Sequence, residues 1–281
     1  MNKNLIFVLV ALTTLLSCGN NSKSPVNEEM AVTDAAQCNF KNIKQHKMFA
    51  YSDRDGDTLY FDNSFKALWP EMINGKPCPV LQQALLRSMT DSAELNKLDI
   101  VIEFLLNPSS YTECDSKRLI PIKAVKDDEN KLSTSEVEVT LESMTDRLIT
   151  YRLATYSYMA GGAHGIYANN YTTYDLLTEN AVALSDVIAD TTLLRSTILK
   201  SIKQVNNYDK DDLFIPDNGL LPLPGDFYIQ DHVLHVVYQV YEIASYAQGM
   251  IDAPIYPYLL KPEEMKRLFT PYGLELIDYT E

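Results

Sequence analysis

The chain contains little of what metal chemistry, nucleophilic hydrolysis or nucleic-acid binding requires. Its 281 residues include four cysteines and four histidines, with no CxxC pair or Cys/His cluster, so we expect no metal site and no cofactor. No GxSxG motif is present to expose a nucleophilic serine. Lysine and arginine number 24 against 38 aspartate and glutamate, a formal net charge of −14, which argues against nucleic acid because phosphates require a basic surface. The same charge favours a basic partner by electrostatic steering, or keeps an exported protein soluble.

An apolar run long enough to cross a bilayer, roughly 20 residues, is also absent. Residues 1–17 have instead the parts of an export signal: the positive Lys3, a short apolar stretch and a small-residue cleavage site before Cys18. With cysteine after the cut, the segment resembles a bacterial lipobox. This implies a diacylated Cys18 that anchors the protein to a membrane of the cell envelope, periplasmic or surface-exposed. An ordinary secretory signal is the alternative.

Residues 18–37 are poor in aromatics and contain Asn, Ser and Pro, which predicts a tether between the lipid and the folded part. The remainder of the chain suffices for one large domain or two small ones. Its cysteines, Cys38, Cys78 and Cys114, would lie in a compartment that permits disulfides. One bridge is expected, with Cys78 to Cys114 favoured because both lie inside the folded region, although spacing does not fix the pairing.

Hydrophobic periodicity predicts an α+β fold with a mostly antiparallel sheet and packed helices. From Ser135 onward apolar and polar residues alternate, which is typical of a strand with one solvent-facing side. Two β-rich runs around Asp55-Gly56 predict a hairpin, and residues 79–89 show a helical period. Further strands are expected at 148–156, 166–175, 227–229, 233–240 and 255–256, and further helices at 92–106, 193–205 and 263–269.

A glycine-rich stretch, Ser157–Gly165, separates two tyrosine-rich strands. Glycine in a β pattern marks a bend, a bulge or the close approach of another chain or a ligand. Tyrosine beside it offers a large contact area at small entropic cost. The candidate ligand-binding residues are therefore Tyr158, Gly161, Gly162, His164 and Tyr167. Tyrosines occupy positions 151, 156, 158, 167, 171 and 174, and about half of them are expected to pack across a sheet instead.

His164 has two interpretations. As a general base it would need a nucleophile or an orienting carboxylate, and the candidates Ser157, Asp175 and Glu242 are constrained by no motif. Alternatively, its ring bonds to the backbone and holds the glycine turn shut. His232 and His235 are three residues apart at the start of a predicted strand, on opposite faces, which argues against a shared metal.

Two motifs carry a family resemblance. Gly161-Gly162-Ala163-His164-Gly165 followed by Tyr174-Asp175-Leu176, and later Val240-Tyr241-Glu242-Ile243-Ala244, resemble the exported domain family found in the lysozyme-sensing anti-sigma factor RsiV, preceded there by a smaller domain also seen in the deacetylase PdaC. The resemblance implies a two-part architecture, with a PdaC-type α+β domain over residues 38–150 and an RsiV-like domain over residues 151–281. It adds Tyr241 to the candidate ligand-binding residues.

The resemblance implies a non-catalytic, wall-facing binding domain, with lysozyme as the partner of its best-understood member. Family members often have proline at the position of Ser245. The chain shows no counterpart of the sensor's transmembrane helix and cytoplasmic segment, so signalling does not carry over.

Three functions therefore stay open. The preferred one is a membrane-tethered, non-catalytic lipoprotein that binds a basic protein such as lysozyme, or peptidoglycan. The alternative is a cell-wall glycan hydrolase or deacetylase, or an accessory to one, with His164 as base. The third is a structural lipoprotein with an unrelated protein partner.

Overall fold

The structure is a computed structural model that describes residues 38–52, 56–90, 92, 94–125 and 129–279. The predicted export signal, Cys18 and the tether lie outside the described residues, as do positions 53–55 at the tip of the predicted hairpin. The described residues belong to one compact unit.

The strands and helices follow the hydrophobic pattern closely. The strands are β1 (Asn39–Ser52), β2 (Thr58–Ile73), β3 (Lys76–Pro77), β4 (Leu119–Ile122), β5 (Leu132–Met144), β6 (Leu148–Tyr158), β7 (Ile166–Asp175), β8 (Asn180–Ala181), β9 (Asp226–Gln230), β10 (Val233–Tyr238) and β11 (Ile251–Ile255). The helices are α1 (Pro79–Met89), α2 (Leu98–Leu105), α3 (Leu184–Val187), α4 (Thr191–Val205), α5 (Pro262–Leu268) and α6 (Pro271–Leu276).

Two sheets organise the described residues. The larger has the strand order β4-β1-β2-β5-β6-β7-β8, with β3 paired to β2, and the smaller has the order β11-β10-β9. Strands β2 and β5 pair in parallel, whereas the other pairs are antiparallel. The predicted α+β class with a mostly antiparallel sheet is confirmed.

The alternation in β5 separates a buried face of the larger sheet from an open one. Val137 and Val139 are buried while Glu136 and Glu138 are exposed, as the sequence predicts. The buried face packs against α1 and α2, where the largest contributors include Phe65, Trp69, Leu81, Leu85, Val101 and Tyr151. Burying these side chains provides about 2 kcal/mol each.

A second hydrophobic cluster is formed by the smaller sheet with α4, α5 and α6. Its fully buried members include Leu194, Ile198, Ile202, Leu234, Val236 and Phe269. Helix α4 begins after Asp190, whose carboxylate accepts the backbone N–H groups of Thr192 and Leu193 at 2.9 and 2.8 Å, a typical N-cap. The buried residues of the first cluster lie between Phe65 and Tyr174 in the sequence. Those of the second lie between Val182 and Ile277, with Leu148 in addition. The boundary expected after residue 150 lies inside β6.

Side chains close part of the free edge of β7. Gln239 accepts a hydrogen bond from the N–H of Asn169 at 3.0 Å and donates one to its carbonyl at 2.7 Å. Asp226 accepts the N–H of Tyr171 at 2.7 Å. An open edge can pair with another chain, and these side chains protect the strand from such pairing. They also connect β7 to β9, which begins at Asp226, and to Gln239, which follows β10.

Several local expectations are corrected. Helix α2 begins at Leu98 rather than near residue 92, and the strand expected at residues 255–256 is β11, which ends at Ile255. The favoured Cys78 to Cys114 bridge is not formed, because Cys38, Cys78 and Cys114 are free thiols. The Cys78 thiol points to the carbonyl of Pro70 at 3.6 Å, against the first cluster. Within the described part of the chain, no helix is long and apolar enough to cross a membrane.

Candidate functional site

The glycine-rich stretch forms a tight turn between β6 and β7. Gly161 has a φ of 79°, which a side chain would strain, and the N–H of Gly162 donates to the carbonyl of Met159 at 2.8 Å. The N–H of Ala160 donates to the Ser133 hydroxyl at 2.9 Å, which fixes the turn to β5. A Cβ atom at Gly165 would lie 2.4 Å from the ring of Tyr156, so glycine is required there for the ring to lie across the backbone.

His164 is held by two hydrogen bonds, and neither of them involves a carboxylate. Its Nδ1 lies 2.9 Å from the carbonyl oxygen of Gly165, which can only accept, so Nδ1 carries the proton. Nε2 then accepts from the hydroxyl of Tyr241 at 3.3 Å. The ring bonds to the backbone of the turn, in agreement with the second interpretation of its role.

Tyr246 completes the site and was not selected from the sequence. Its ring stacks on His164 with centroids 4.0 Å apart, and it contacts Tyr167 edge-on at 5.9 Å and Tyr241 at 5.7 Å. Tyr246 follows the Tyr241 motif on a short 3₁₀ turn, Tyr246–Gln248, and that neighbourhood was the available signal. The aromatic cluster is defined as Tyr156, His164, Tyr167, Tyr241 and Tyr246.

The aromatic cluster is open to solvent. Tyr241 is 50% exposed and Tyr156 39% exposed, and Met159 and Ile166 beside the turn are also exposed. Desolvation first, and the neighbouring tyrosine hydroxyls second, raise the pKa of Tyr246, so its hydroxyl is neutral at physiological pH. Exposed aromatic patches of this kind mark binding surfaces.

The two carboxylates considered as partners of His164 are engaged elsewhere. Asp175 is fully buried and accepts hydrogen bonds from Tyr272 at 2.8 Å and from Arg147 at 3.3 Å. Glu242 accepts the N–H of Gln239 at 2.8 Å. Neither carboxylate has a hydrogen bond with the imidazole among the described residues, so the triad that general-base chemistry would use is not assembled.

The remaining candidate residues divide as expected. Tyr158 is half-buried beside the turn, with its ring 3.8 Å from the position a Cβ atom of Gly162 would take. Tyr151 and Tyr174 are buried in the first cluster, and Tyr171 stacks on Tyr228 of β9 with centroids 4.3 Å apart. Three of the six tyrosines, at positions 156, 158 and 167, therefore lie at the turn. The other three pack against neighbouring side chains.

Comparisons with known proteins identify part of the chain. Residues 174–256 match the family "Protein of unknown function (DUF3298)". This domain contains Tyr241, Tyr246 and Gly249, whereas the glycine turn and Tyr167 precede it. The comparisons therefore support a DUF3298 domain over residues 174–256.

Solved DUF3298 structures share the fold. A crystal structure of a family member from Bacteroides fragilis NCTC 9343 is similar with a TM-score of 0.59 and 18% identity, covering 86% of this chain and 96% of that chain. One from Pseudomonas aeruginosa PAO1 has a TM-score of 0.52 and 15% identity, covering 84% and 96%. At these identities the likeness shows the fold alone. No curated protein matches the chain.

The DUF3298 domain also carries a second polar cluster. His235 stacks on Tyr228 with centroids 4.4 Å apart and pairs with Asp252 at 3.0 Å, while the hydroxyl of Tyr228 donates to the same carboxylate at 3.2 Å. His232 lies in the turn before β10 and does not join it. Among the described residues, no group of three His, Cys, Asp or Glu side chains could hold a metal ion.

A Gly165→Ala substitution is expected to displace the Tyr156 ring and destabilise the fold by about 1 to 3 kcal/mol, because the added methyl overlaps the ring. The His164 imidazole signals in an NMR spectrum should shift, since its Nδ1 bonds to the Gly165 carbonyl. Gly161→Ala is the matched control: its positive φ costs about 1 kcal/mol, but nothing lies within 4 Å of the new methyl. Equal His164 spectra in the two variants would contradict the packing described.

Proposed function

We propose that this protein is a lipid-anchored, non-catalytic binding protein of the cell envelope that holds cell-wall glycan on its aromatic cluster. The observation that carries the proposal is the stack of His164 on Tyr246, centroids 4.0 Å apart, with Tyr241 exposed beside it. Flat rings offer apolar faces to the C–H faces of sugars, and tyrosine hydroxyls can bond to sugar hydroxyls at the ring edge.

The hydrogen bonds of His164 support binding rather than catalysis. Both ring nitrogens are engaged, one by the Gly165 carbonyl and the other by the Tyr241 hydroxyl. A general base must hold its proton acceptor free towards the substrate and be oriented by a further group. Here the imidazole serves as a rigid wall of the surface, held in place by the glycine turn.

The expected export signal and Cys18 would deliver such a surface to the wall. A lipid at Cys18, followed by the tether of residues 18–37, would hold the folded part close to the membrane while the aromatic cluster contacts its ligand. The resemblance to an exported, wall-facing domain family supports the same location.

A basic protein of the lysozyme kind is the second candidate ligand. The formal net charge of −14 favours it, because opposite charge accelerates encounter, and exposed tyrosines are common anchors of protein interfaces. The resemblance to the lysozyme-sensing family points the same way. This complex would weaken strongly with added salt, whereas stacking on neutral sugar would not.

Binding of the full-length protein to insoluble peptidoglycan tests the proposal. Tyr246→Ala should weaken binding at least about tenfold, since stacking and hot-spot contacts contribute more than 1.4 kcal/mol. Tyr258→Ala is the matched control, because Tyr258 is 77% exposed and lies outside the aromatic cluster. Retained binding in Tyr246→Ala would contradict the assignment of the site.

The same preparation distinguishes the other candidates. Capture of lysozyme at low salt without any binding of peptidoglycan would favour the protein ligand. Released sugars or acetate that disappear in His164→Ala and persist in His235→Ala would establish the enzyme and overturn the non-catalytic proposal.

A further inference from the structure

We propose that the glycan site extends from the aromatic cluster across the open face of the larger sheet to a pocket at Lys44 and Lys66, which recognises carboxylates on the glycan. This inference rests on the proposed function and names the chemistry of its ligand. It is carried by the strand register, by the shape of the open face and by two lysines that form no ion pair within the described part of the chain.

A single row of side chains connects the two ends. Tyr167 lies opposite Tyr156, Tyr156 opposite Glu136, Glu136 opposite Ser64 and Ser64 opposite His46. Paired residues on adjacent strands point to the same face of a sheet. The row therefore crosses β7, β6, β5, β2 and β1 in four steps and spans about 19 Å.

The face that carries this row is the one turned away from α1 and α2. The alternate positions Phe65, Val137 and Leu153 are buried against those helices, so their neighbours in sequence point the other way. Glu136 on the row is exposed, and Tyr156 is 39% exposed. The open face is polar along its length and aromatic at one end, which suits a chain of hydroxyl-bearing rings.

The far end of the row opens into a pocket of about 400 Å³. Its lining includes Lys44, His46, Asp62, Ser64, Lys66 and Glu136. The imidazole of His46 pairs with Asp62 at 2.5 Å, which engages one of the two carboxylates. The pocket thus presents two ammonium groups, the hydroxyl of Ser64 and the carboxylate of Glu136 at the end of the sugar path.

Lys44 and Lys66 are directly opposite each other in the β1–β2 pair. Like charges in this position destabilise a sheet, and Glu138, the neighbour of Lys66 on β5, offsets only part of that repulsion. Within the described part of the chain, neither ammonium forms an ion pair with a carboxylate. An anionic group bound between them would relieve the repulsion, and a carboxylate would form charge-assisted hydrogen bonds with both.

The ligand that fits the whole row is a glycan strand whose rings carry carboxylates. N-acetylmuramic acid alternates with uncharged N-acetylglucosamine in bacterial wall glycan, and its lactyl carboxylate is free wherever the stem peptide has been removed. The uncharged rings would stack on the aromatic cluster, and the carboxylate of a ring farther along would reach the lysines.

Two tetrasaccharides test this assignment on the full-length protein. One alternates N-acetylglucosamine with N-acetylmuramic acid, and the other, chitotetraose, contains only N-acetylglucosamine. Calorimetry should show about tenfold tighter binding of the first tetrasaccharide, because a charge-assisted hydrogen bond contributes about that much to the affinity. Lys44→Gln with Lys66→Gln should abolish this preference and leave the affinity for chitotetraose unchanged.

The matched control is Lys76→Gln with Lys200→Gln, which removes the same charge from exposed positions away from the row and should keep the preference. Equal affinities of the wild-type protein for the two sugars would overturn the inference and leave the proposed function standing. A preference that survives Lys44→Gln with Lys66→Gln would also overturn it. Failure to bind either sugar would overturn the proposed glycan function itself.

Discussion

Replacing Asp175 by alanine is expected to lower the free energy of unfolding by about 3 kcal/mol or more, because it leaves a paired cation without its buried partner. Asp175 is fully buried at the end of β7. It accepts the N–H of Leu177 and the hydroxyl of Tyr272, each at 2.8 Å, and the guanidinium of Arg147 at 3.3 Å. Burial alone would raise the pKa of Asp175, but these hydrogen bonds together hold it below its usual range.

The position of Asp175 explains why the effect is large. It joins the end of β7 to the turn after it, to the β5–β6 turn through Arg147 and to α6 through Tyr272. Glu275→Ala is the matched control, since Glu275 contacts Arg147 at 3.3 Å from an exposed position and surface pairs contribute about 0 to 1 kcal/mol. Urea unfolding of the two variants provides the comparison, and equal losses would contradict the account.

The stability of an Asp226→Asn variant relative to the wild-type protein is expected to rise by about 1 to 3 kcal/mol between pH 4 and pH 7.5. Desolvation raises the pKa of Asp226 to about 6, against the lowering effect of hydrogen bonds from Tyr171 and Asn170. Because the folded pKa lies above the unfolded value, about 3.9, the folded state binds the proton more tightly. The wild-type protein therefore loses stability as the pH rises from about 4 to about 6.

Asparagine removes the buried charge and can still accept the Tyr171 N–H through its amide oxygen, whereas its amide nitrogen cannot accept the hydrogen bond from Asn170. That loss is the same at every pH, so the pH-dependent difference remains. The measurement is the difference in unfolding free energy between variant and wild type across this pH range, which cancels the titration of the other carboxylates. Asp231→Asn is the control for the loss of one charge at an exposed turn. A difference that does not change between pH 4 and pH 7.5 would show that Asp226 is not destabilised by burial.

Much of the fold was predictable because it depends on neighbours in sequence. The alternation from Ser135 predicts β5 with its exposed glutamates, and the helical period of residues 79–89 matches α1 at both ends. Within α1 the buried residues are Leu81, Leu85 and Leu86, whereas Val80 is exposed. Periodicity predicts that a helix has an apolar face, but the packing partner decides which residues that face includes.

The candidate site was predicted in part. The glycines and tyrosines of residues 157–167 indicated the turn, and the Tyr241 motif indicated a second contributor. The stack of Tyr246 on His164 was missed because these residues are separated by more than eighty positions along the chain, and the Tyr241 motif nearby does not indicate which tyrosine meets the turn. The disulfide prediction was wrong for a related reason: spacing contains no information about which thiols face each other.

The sequence by itself determined the α+β class, most of the strands, and a glycine turn in which larger residues are strained. These features arise from steric limits and solvent exposure that act within a few residues. Only the tertiary structure decided that β2 pairs with β5 in parallel, that the turn meets Tyr241 and Tyr246, and that Tyr167 and His46 end one row across five strands. Such contacts depend on the packing of both hydrophobic clusters at once, because strand order and register follow from which faces are buried together.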